Sequence, residues 1–185
     1  NNGDYSLSFD GQDDYVDCGN NPSINIENEL TVKVKIRPQE NTNWASGIVS
    51  KSDLLHNWGW YIGTVQDGYD CSYNEGCYAN SIYFSGHNQN NDNEYFTAYG
   101  PILDIPLNNF RTFYATFKYG EQKIYELDNN NLLLHGTNNV ESLIAQVSDH
   151  LTIGIRQVGS NSTTYNGEID EIKIWNKSLN SNEIL

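Results

Sequence analysis

The chain is 185 residues long, which fits one domain whose core removes roughly 70% of the unfolded surface from water. Hydrophobic residues make up only 37%, yet the aromatic share of 12% argues against a disordered chain. Ten basic residues against 24 acidic ones give a net charge of −14, which repels phosphate backbones and anionic lipid and leaves cations and neutral ligands as partners.

In chain order the dominant period is two, the mark of strands. Tyr5–Phe9 alternates and ends at Asp10-Gly11, and Tyr15–Cys18 is a second short run. Leu30–Arg37 is the cleanest case: Leu30, Val32, Val34 and Ile36 face one way and Thr31, Lys33, Lys35 and Arg37 the other. Pro38 is expected to stop this strand, because proline cannot donate to a sheet ladder. Gly47–Ser52, Trp58–Val65, Ser81–Ser85 and Glu94–Tyr99 read as the next strands. Phe110–Tyr119 and Lys123–Leu127 follow as a hairpin, then Leu132–His135, Leu151–Ile155 and Gly167–Trp175. So many short strands between turn signals predict an all-β antiparallel sandwich, a jelly roll, forming a single domain over residues 1–185.

Helical signal is sparse. Val140, Leu143, Ile144 and Val147 fall at helical spacing and suggest one short helix. Asn180-Ser-Asn-Glu183 reads as a capping box opening a last turn of helix. No apolar run approaches the ~20 residues of a membrane-spanning helix, so membrane insertion is not expected. The first residues lack the succession of a secretory leader and methionine is absent, which predicts a piece excised from a longer protein.

Residues 66–93 are the irregular stretch, rich in Asn, Gly, Asp and Tyr. Cys71 and Cys77 lie within it at a spacing that favours a loop disulfide over free thiols, and hence an oxidising, extracellular compartment. Zinc is the weaker alternative, since no second cysteine pair and no histidine at metal spacing accompany them. Cys18 is then a small strand residue without a chemical task. Sugars stack their CH faces on aromatic rings and pair their hydroxyls with amides and carboxylates. Trp44, Trp58 and Trp60 gather around one strand, and Tyr69, Tyr73, Tyr78 and Tyr83 follow, interleaved with Asp67, Asp70, Asn74 and Asn80. One of Trp58 and Trp60 must face the core, and most tyrosines of a sandwich serve packing. Trp44, Trp58, Tyr69, Asp70, Tyr73 and Tyr78 are therefore the candidate ligand contacts as a group rather than singly.

The two ends carry a recognisable pair of motifs. Ser6-Leu-Ser-Phe-Asp-Gly-Gln-Asp-Asp-Tyr-Val16 resembles the opening strand of laminin-G-like domains of the concanavalin A-like lectin/glucanase superfamily. Tyr165-Asn-Gly-Glu-Ile-Asp-Glu-Ile-Lys-Ile-Trp-Asn176, followed by Leu179 and Glu183-Ile184, is similar to that family's closing strand and turn. Leu30–Pro38, Ile48–Lys51, Gly59-Trp60 and Leu151–Gly154 fall in the family's order between them. Phe110 stands where the family often has tryptophan, Asp128-Asn129 replaces its usual Asp-Gly turn, and residues 66–93 look like an insertion.

The resemblance implies neighbouring terminal strands and a structural calcium ion near them. Asp10 and Asp170 are the first candidate ligands, with Asp13 and Asp14 behind them, since calcium takes six to eight oxygens. The alternative is a plain turn at Asp10-Gly11 and an Asp170 paired on the sheet. Glu168-Ile-Asp170-Glu171 superficially resembles a glucanase acid set but lacks the third acid in register. No nucleophile elbow, P-loop or zinc-protease motif occurs.

The reading that follows is a non-catalytic, calcium-stabilised lectin-like module of a larger secreted or surface protein, with a glycan or glycoprotein as partner. A protein-binding adhesion or assembly module is the alternative, and a glycoside hydrolase comes third. If Cys71 and Cys77 are bonded, reduction should increase proteolytic nicking within 66–93 without lowering the melting temperature by more than a few degrees, because so short a loop stabilises modestly. Global unfolding on reduction would contradict the pairing.

Overall fold

The computed structural model describes residues 5–40, 45–52, 59–65, 80–89, 95–103, 107–145, 147–158 and 161–185. The first sheet holds β1 (Leu7–Asp10), β3 (Glu29–Glu40), β8 (Arg111–Lys118), β9 (Glu121–Asp128), β10 (Asn131–Asn138) and β14 (Asn166–Trp175), in the order β1-β14-β3-β8-β9-β10. The second holds β2 (Val16–Asp17), β4 (Ala45–Ser52), β5 (Gly59–Val65), β6 (Ser81–His87), β7 (Tyr95–Ile102) and β11 (Thr152–Ile153), in the order β2-β11-β4-β5-β6-β7. A small antiparallel pair, β12 (Ile155–Val158) with β13 (Asn161–Thr164), completes the described strands. Every pairing among the described strands is antiparallel, as the period-two pattern predicts for a sandwich.

The alternation of β3 sets the core. Leu30, Val32, Val34 and Ile36 are fully buried. They pack with Phe113, Ala115 and Phe117 of β8 and Ile124 of β9 in one cluster that also takes Ile48, Trp60, Ile62, Ile82 and Phe84 from the other sheet. Phe117 stacks on Phe96 of β7, ring centroids 5.2 Å apart, which ties the two sheets face to face. Each such side chain removed from water contributes about 1.5–3 kcal/mol. Gln122, fully buried, crosses between the layers and donates from Nε2 to the Phe84 carbonyl at 3.0 Å.

Three local expectations need correction. Pro38 does not end β3, which runs on to Glu40 with Pro38 opposite Gly167 of β14. The last pair that β3 shares with β8 is Ile36 with Arg111, and the Pro38 carbonyl accepts from Leu107 N at 2.9 Å. The donor that proline lacks would point to that same side, past the end of β8, so no ladder bond is lost. Residues 140–145 form no helix. Ala145 N donates to His87 O, Gln89 N to Leu143 O and Ile144 N to Glu27 O, so tertiary partners take the backbone groups that a helix would use internally. Val140, Ile144 and Val147 are buried all the same and Leu143 is half-buried, so spacing found most of the burial and misread the backbone. Finally, the strand expected over Leu151–Ile155 breaks at Gly154, φ +85°, where a Cβ would lie 2.3 Å from the Phe9 ring.

Other turns follow their residues. Asn129 and Asn130 both have positive φ and join β9 to β10 as a two-residue hairpin turn, a place where asparagine substitutes well for glycine. Asn180 caps α1 (Ser181–Ile184) through its side chain while Glu183 reaches back to Asn180 N, the expected capping box.

Glu126 faces inward on β9 at 7% exposure. Burial opposes its ionisation, but Arg111 outweighs this with two hydrogen bonds of 2.7 Å, His135 adds a third of 2.9 Å, and the carboxyl is held below its ordinary value. A carboxylate depressed in the folded state contributes stability above its ordinary value of 4.5 and loses it as pH falls through the folded value. Arg111→Ala should therefore lower unfolding free energy by about 1–3 kcal/mol at neutral pH. In urea melts near pH 3 the difference should shrink; an equal loss at both pH values would contradict the role given to Glu126.

Candidate functional site

β1 pairs with β14 from Leu7 opposite Ile169 to Asp10 opposite Asn166, so the first and last long strands are neighbours, as the terminal motifs imply. At the end of β1 the chain reverses through Gly11, φ +78°. Asp10 Oδ1 accepts from Gln12 N at 2.8 Å, and Asp14 Oδ2 accepts from Asp10 N at 3.1 Å. Thr164 Oγ1 donates to the Gly11 carbonyl at 2.5 Å and fastens the turn to β13. One carboxylate oxygen from each of Asp10, Asp13 and Asp14 then lies within 4.8 Å of the others, all three residues exposed. Three hard oxygens on a tight turn suit a divalent cation of the calcium type.

Asp170 is not part of this group. It lies four residues along β14 from Asn166, at a bulge between Ile169 and Glu171, and forms an ion pair with Lys35 of β3. Its neighbours do the same: Glu168 pairs with Arg37, and Glu171 with Lys33 and Lys173. The Glu168 carboxyl is held below its ordinary range by hydrogen bonds from Arg37 and Ser6, and that of Glu171 by Lys173 and Lys33. The acids of the closing strand thus form a charge ladder with the bases of β3. The plainer reading of Asp170, pairing on the sheet, is the one its position favours.

Directly after the acidic turn, Tyr15 and Asp17 reach a cavity of about 220 Å³ shared with Ser52, Asp149, His150 and Thr152. Tyr15 is 52% exposed. His150 Nδ1 lies 2.7 and 2.8 Å from the two Asp17 oxygens, and Gly19 N donates to Asp17 Oδ1 at 2.8 Å. Lys51 Nζ anchors the wall by donating to Asn20 Oδ1 at 2.7 Å and to the Asp149 carbonyl. Burial pushes the Lys51 ammonium down and, followed by the Asp17 charge, pushes the Cys18 thiol up. A thiol so shifted is a poor nucleophile and a poor metal ligand.

Trp44, Trp58, Tyr69, Asp70, Tyr73 and Tyr78, with Cys71 and Cys77, lie outside the described residues. Trp60 is in the core, 1% exposed, as one tryptophan of its strand had to be. Tyr83 lies on β6, in the strand expected over Ser81–Ser85, and packs with Tyr61, Val65 and Tyr99 in a second cluster. Arg156 stacks over the Tyr61 ring at 3.6 Å, and burial pushes the Tyr83 hydroxyl well above its ordinary range. Tyr15, Asp17, Asp149 and His150 escaped the sequence reading. No periodic signal links position 17 to position 150; only the pairing of β2 with β11 brings them together.

The Asp17 carboxyl is held below its ordinary value first by the His150 hydrogen bond and then by Gly19 N. His150→Ala should move the Asp17 midpoint up towards 3.8 in a carboxyl NMR titration, and an unchanged midpoint would dissolve the pair.

Known proteins share this fold. No curated protein sequence matches the chain. The Ruminococcus gnavus IT-sialidase CBM40 bound to α2,6-sialyllactose is similar in structure, with TM-score 0.66 and 12% identity over 96% of this chain and 93% of that one. Domain 4 of AbnA, an extracellular arabinanase from Geobacillus stearothermophilus, in complex with arabinotriose, gives TM-score 0.64 and 14% identity over 97% and 74%. The binding domain of botulinum neurotoxin DC in complex with rat synaptotagmin II gives 0.62 and 19% over 97% and 40%. The family model of the concanavalin A-like lectin/glucanases superfamily matches residues 10–185, and with its terminal strands paired in a two-sheet sandwich the chain belongs to that superfamily.

Proposed function

We propose that this chain is a non-catalytic carbohydrate-binding module of a secreted or cell-surface protein, stabilised by calcium at the turn Asp10–Asp14. The observation that carries the metal reading is the convergence of three carboxylate oxygens within 4.8 Å on an exposed turn. In a chain of net charge −14 a divalent ion relieves the repulsion that such a group builds up. Asp10, Asp13 and Asp14 would hold the ion, and its part is to fix the turn between β1 and β2.

The ligand side rests on the rim next to that turn. Tyr15 offers an exposed ring, and Asp17, Asp149 and Ser52 offer acceptors around a cavity of about 220 Å³. That pairing of an apolar ring with hydroxyl partners suits a sugar. The non-catalytic reading is supported by the ion pairs that occupy Glu168, Asp170 and Glu171 on β14. A glycosidase needs two carboxylates free to face a substrate.

A protein partner is the second reading. Leu133 and Leu134 stand 44% and 52% exposed on β10, the edge strand of the first sheet, where an apolar contact could form.

At a calcium concentration near 100 times Kd, binding adds about 2.7 kcal/mol, a rise of roughly 5–10 °C in Tm for a chain of this size. Chelator should remove that rise. Asp13→Asn and Asp14→Asn should abolish it, whereas Asp170→Asn should melt lower yet keep it. A parent protein whose melting ignores chelator has no calcium at this turn. A glycan array run with and without chelator separates the sugar reading from the protein one.

A further inference from the structure

A larger groove, about 390 Å³, opens at the other edge of the second sheet, at the end of β6 and the start of β7. Phe96 and Val140, 8% and 3% exposed, form its apolar floor. Tyr95 stands at its mouth, 54% exposed, opposite His87 in register and with ring centroids 6.0 Å apart. A tyrosine that far out of the core, directly before a buried phenylalanine, contributes little packing to the sandwich.

The polar lining is of one kind. Asn88, Asn139, Glu141 and Ser142 supply amides, a carboxylate and a hydroxyl, and no lysine or arginine lines the groove among the described residues. Ser142 Oγ donates to Asn88 Oδ1 at 2.6 Å and accepts from Gln89 N at 3.2 Å, so this wall is ordered in advance. The bridge between Asn88 and Ile144 fixes it further. Asn139 and Glu141 are exposed, and neither side chain makes a hydrogen bond within the described structure.

We propose that this groove binds one ring of a neutral sugar, independently of calcium. The ring's CH face would lie on Tyr95, and its hydroxyls would donate to Glu141 and exchange hydrogen bonds with Asn88 and Asn139. Among the described lining residues an anionic ligand finds no lysine or arginine and meets the Glu141 charge instead, so phosphate and acidic sugars are disfavoured. The groove also lies apart from the acidic turn. In the order β2-β11-β4-β5-β6-β7, Tyr15 borders one edge strand and Tyr95 starts the other, five strand spacings or roughly 24 Å away. The proposal rests on the reading of the chain as a glycan-binding module and adds to the Tyr15 rim a second locus with its own ligand class.

The test is calorimetric titration of the 185-residue chain with cellotriose, xylotriose and arabinotriose, with 3′-sialyllactose as the acidic comparator, in calcium and in chelator. Expected is binding of at least one neutral trisaccharide, surviving chelator, and stronger than that of sialyllactose. Tyr95→Ala should weaken it about tenfold, and the double variant Asn139→Ala, Glu141→Ala at least as much. Amide NMR shifts on titrating the parent protein should centre on Tyr95, Asn139 and Glu141, which settles the locus should a variant fold poorly. Binding that both variants retain, or that maps to Tyr15 and His150, overturns the groove while leaving the module a glycan binder. Parent protein that binds no sugar at all overturns both.

Discussion

The antiparallel pairing of Leu7–Asp10 with Asn166–Ile169 is the constraint on which the acidic turn depends. It lays the two ends of the chain side by side and seats Phe9, 4% exposed, against Tyr165 at 6.2 Å between ring centroids. With Phe9 in place there is room for only a glycine at position 154, so the chain leaving β11 must turn away into β12 and β13. That detour brings Thr164 over Gly11 and closes the turn in which Asp10, Asp13 and Asp14 converge. Strand register, a ring contact and one glycine together hold the three carboxylates close, at a cost in mutual repulsion that a divalent ion offsets.

Charge is distributed unevenly over the sandwich, and the distribution separates structural acids from available ones. On the β14–β3 face, Glu168, Asp170 and Glu171 each meet a base: Arg37, Lys35 and Lys33. Such half-exposed pairs contribute little stability apiece, but they leave that face near neutrality and set the register of the two strands. The surplus behind the net charge of −14 therefore gathers elsewhere, including the turn at Asp10–Asp14 and Glu141 at the groove beside Tyr95. Acids that are not taken up by such a ladder can meet a cation or sugar hydroxyls.

Among the described residues, one stretch, 139–145 with 147–150, crosses the end of the second sheet where β4 and β6 finish and β7 begins. It starts in the groove beside Tyr95, joins β6 through Ile144 and Ala145, and ends in the cavity beside Tyr15. Its backbone spends its hydrogen bonds on residues far away in sequence, Glu27, His87, Gln89 and Gly120. That use explains why it is irregular and why polar side chains of both grooves come from it. Connections over a rigid sheet are where a sandwich varies its ligands without disturbing its core.

Much of the fold was legible in order along the chain. Alternation in Leu30–Arg37 and Phe110–Tyr119 named the central strands and their inward faces, because each side chain of a strand answers to one face only. Asn180-Ser-Asn-Glu183 announced its capping box, because the partners are local. The terminal motifs implied the β1–β14 pairing and the acidic turn beside it. Longer-range placement stayed out of reach. Asp170 went to Lys35 because a bulge and the register of β3 put it there, and neither is written in the local pattern. Residues 140–145 carried helical spacing but bonded to β6, and Pro38 survived inside a strand because β8 ends short of it. His150 met Asp17, and Tyr95 met Asn139 and Glu141, only through strand order. The sequence by itself determined which residues are apolar in which period, and so the sandwich. Which polar groups share a site was decided by tertiary structure alone, since non-local hydrogen bonds and register choose neighbours that no spacing encodes.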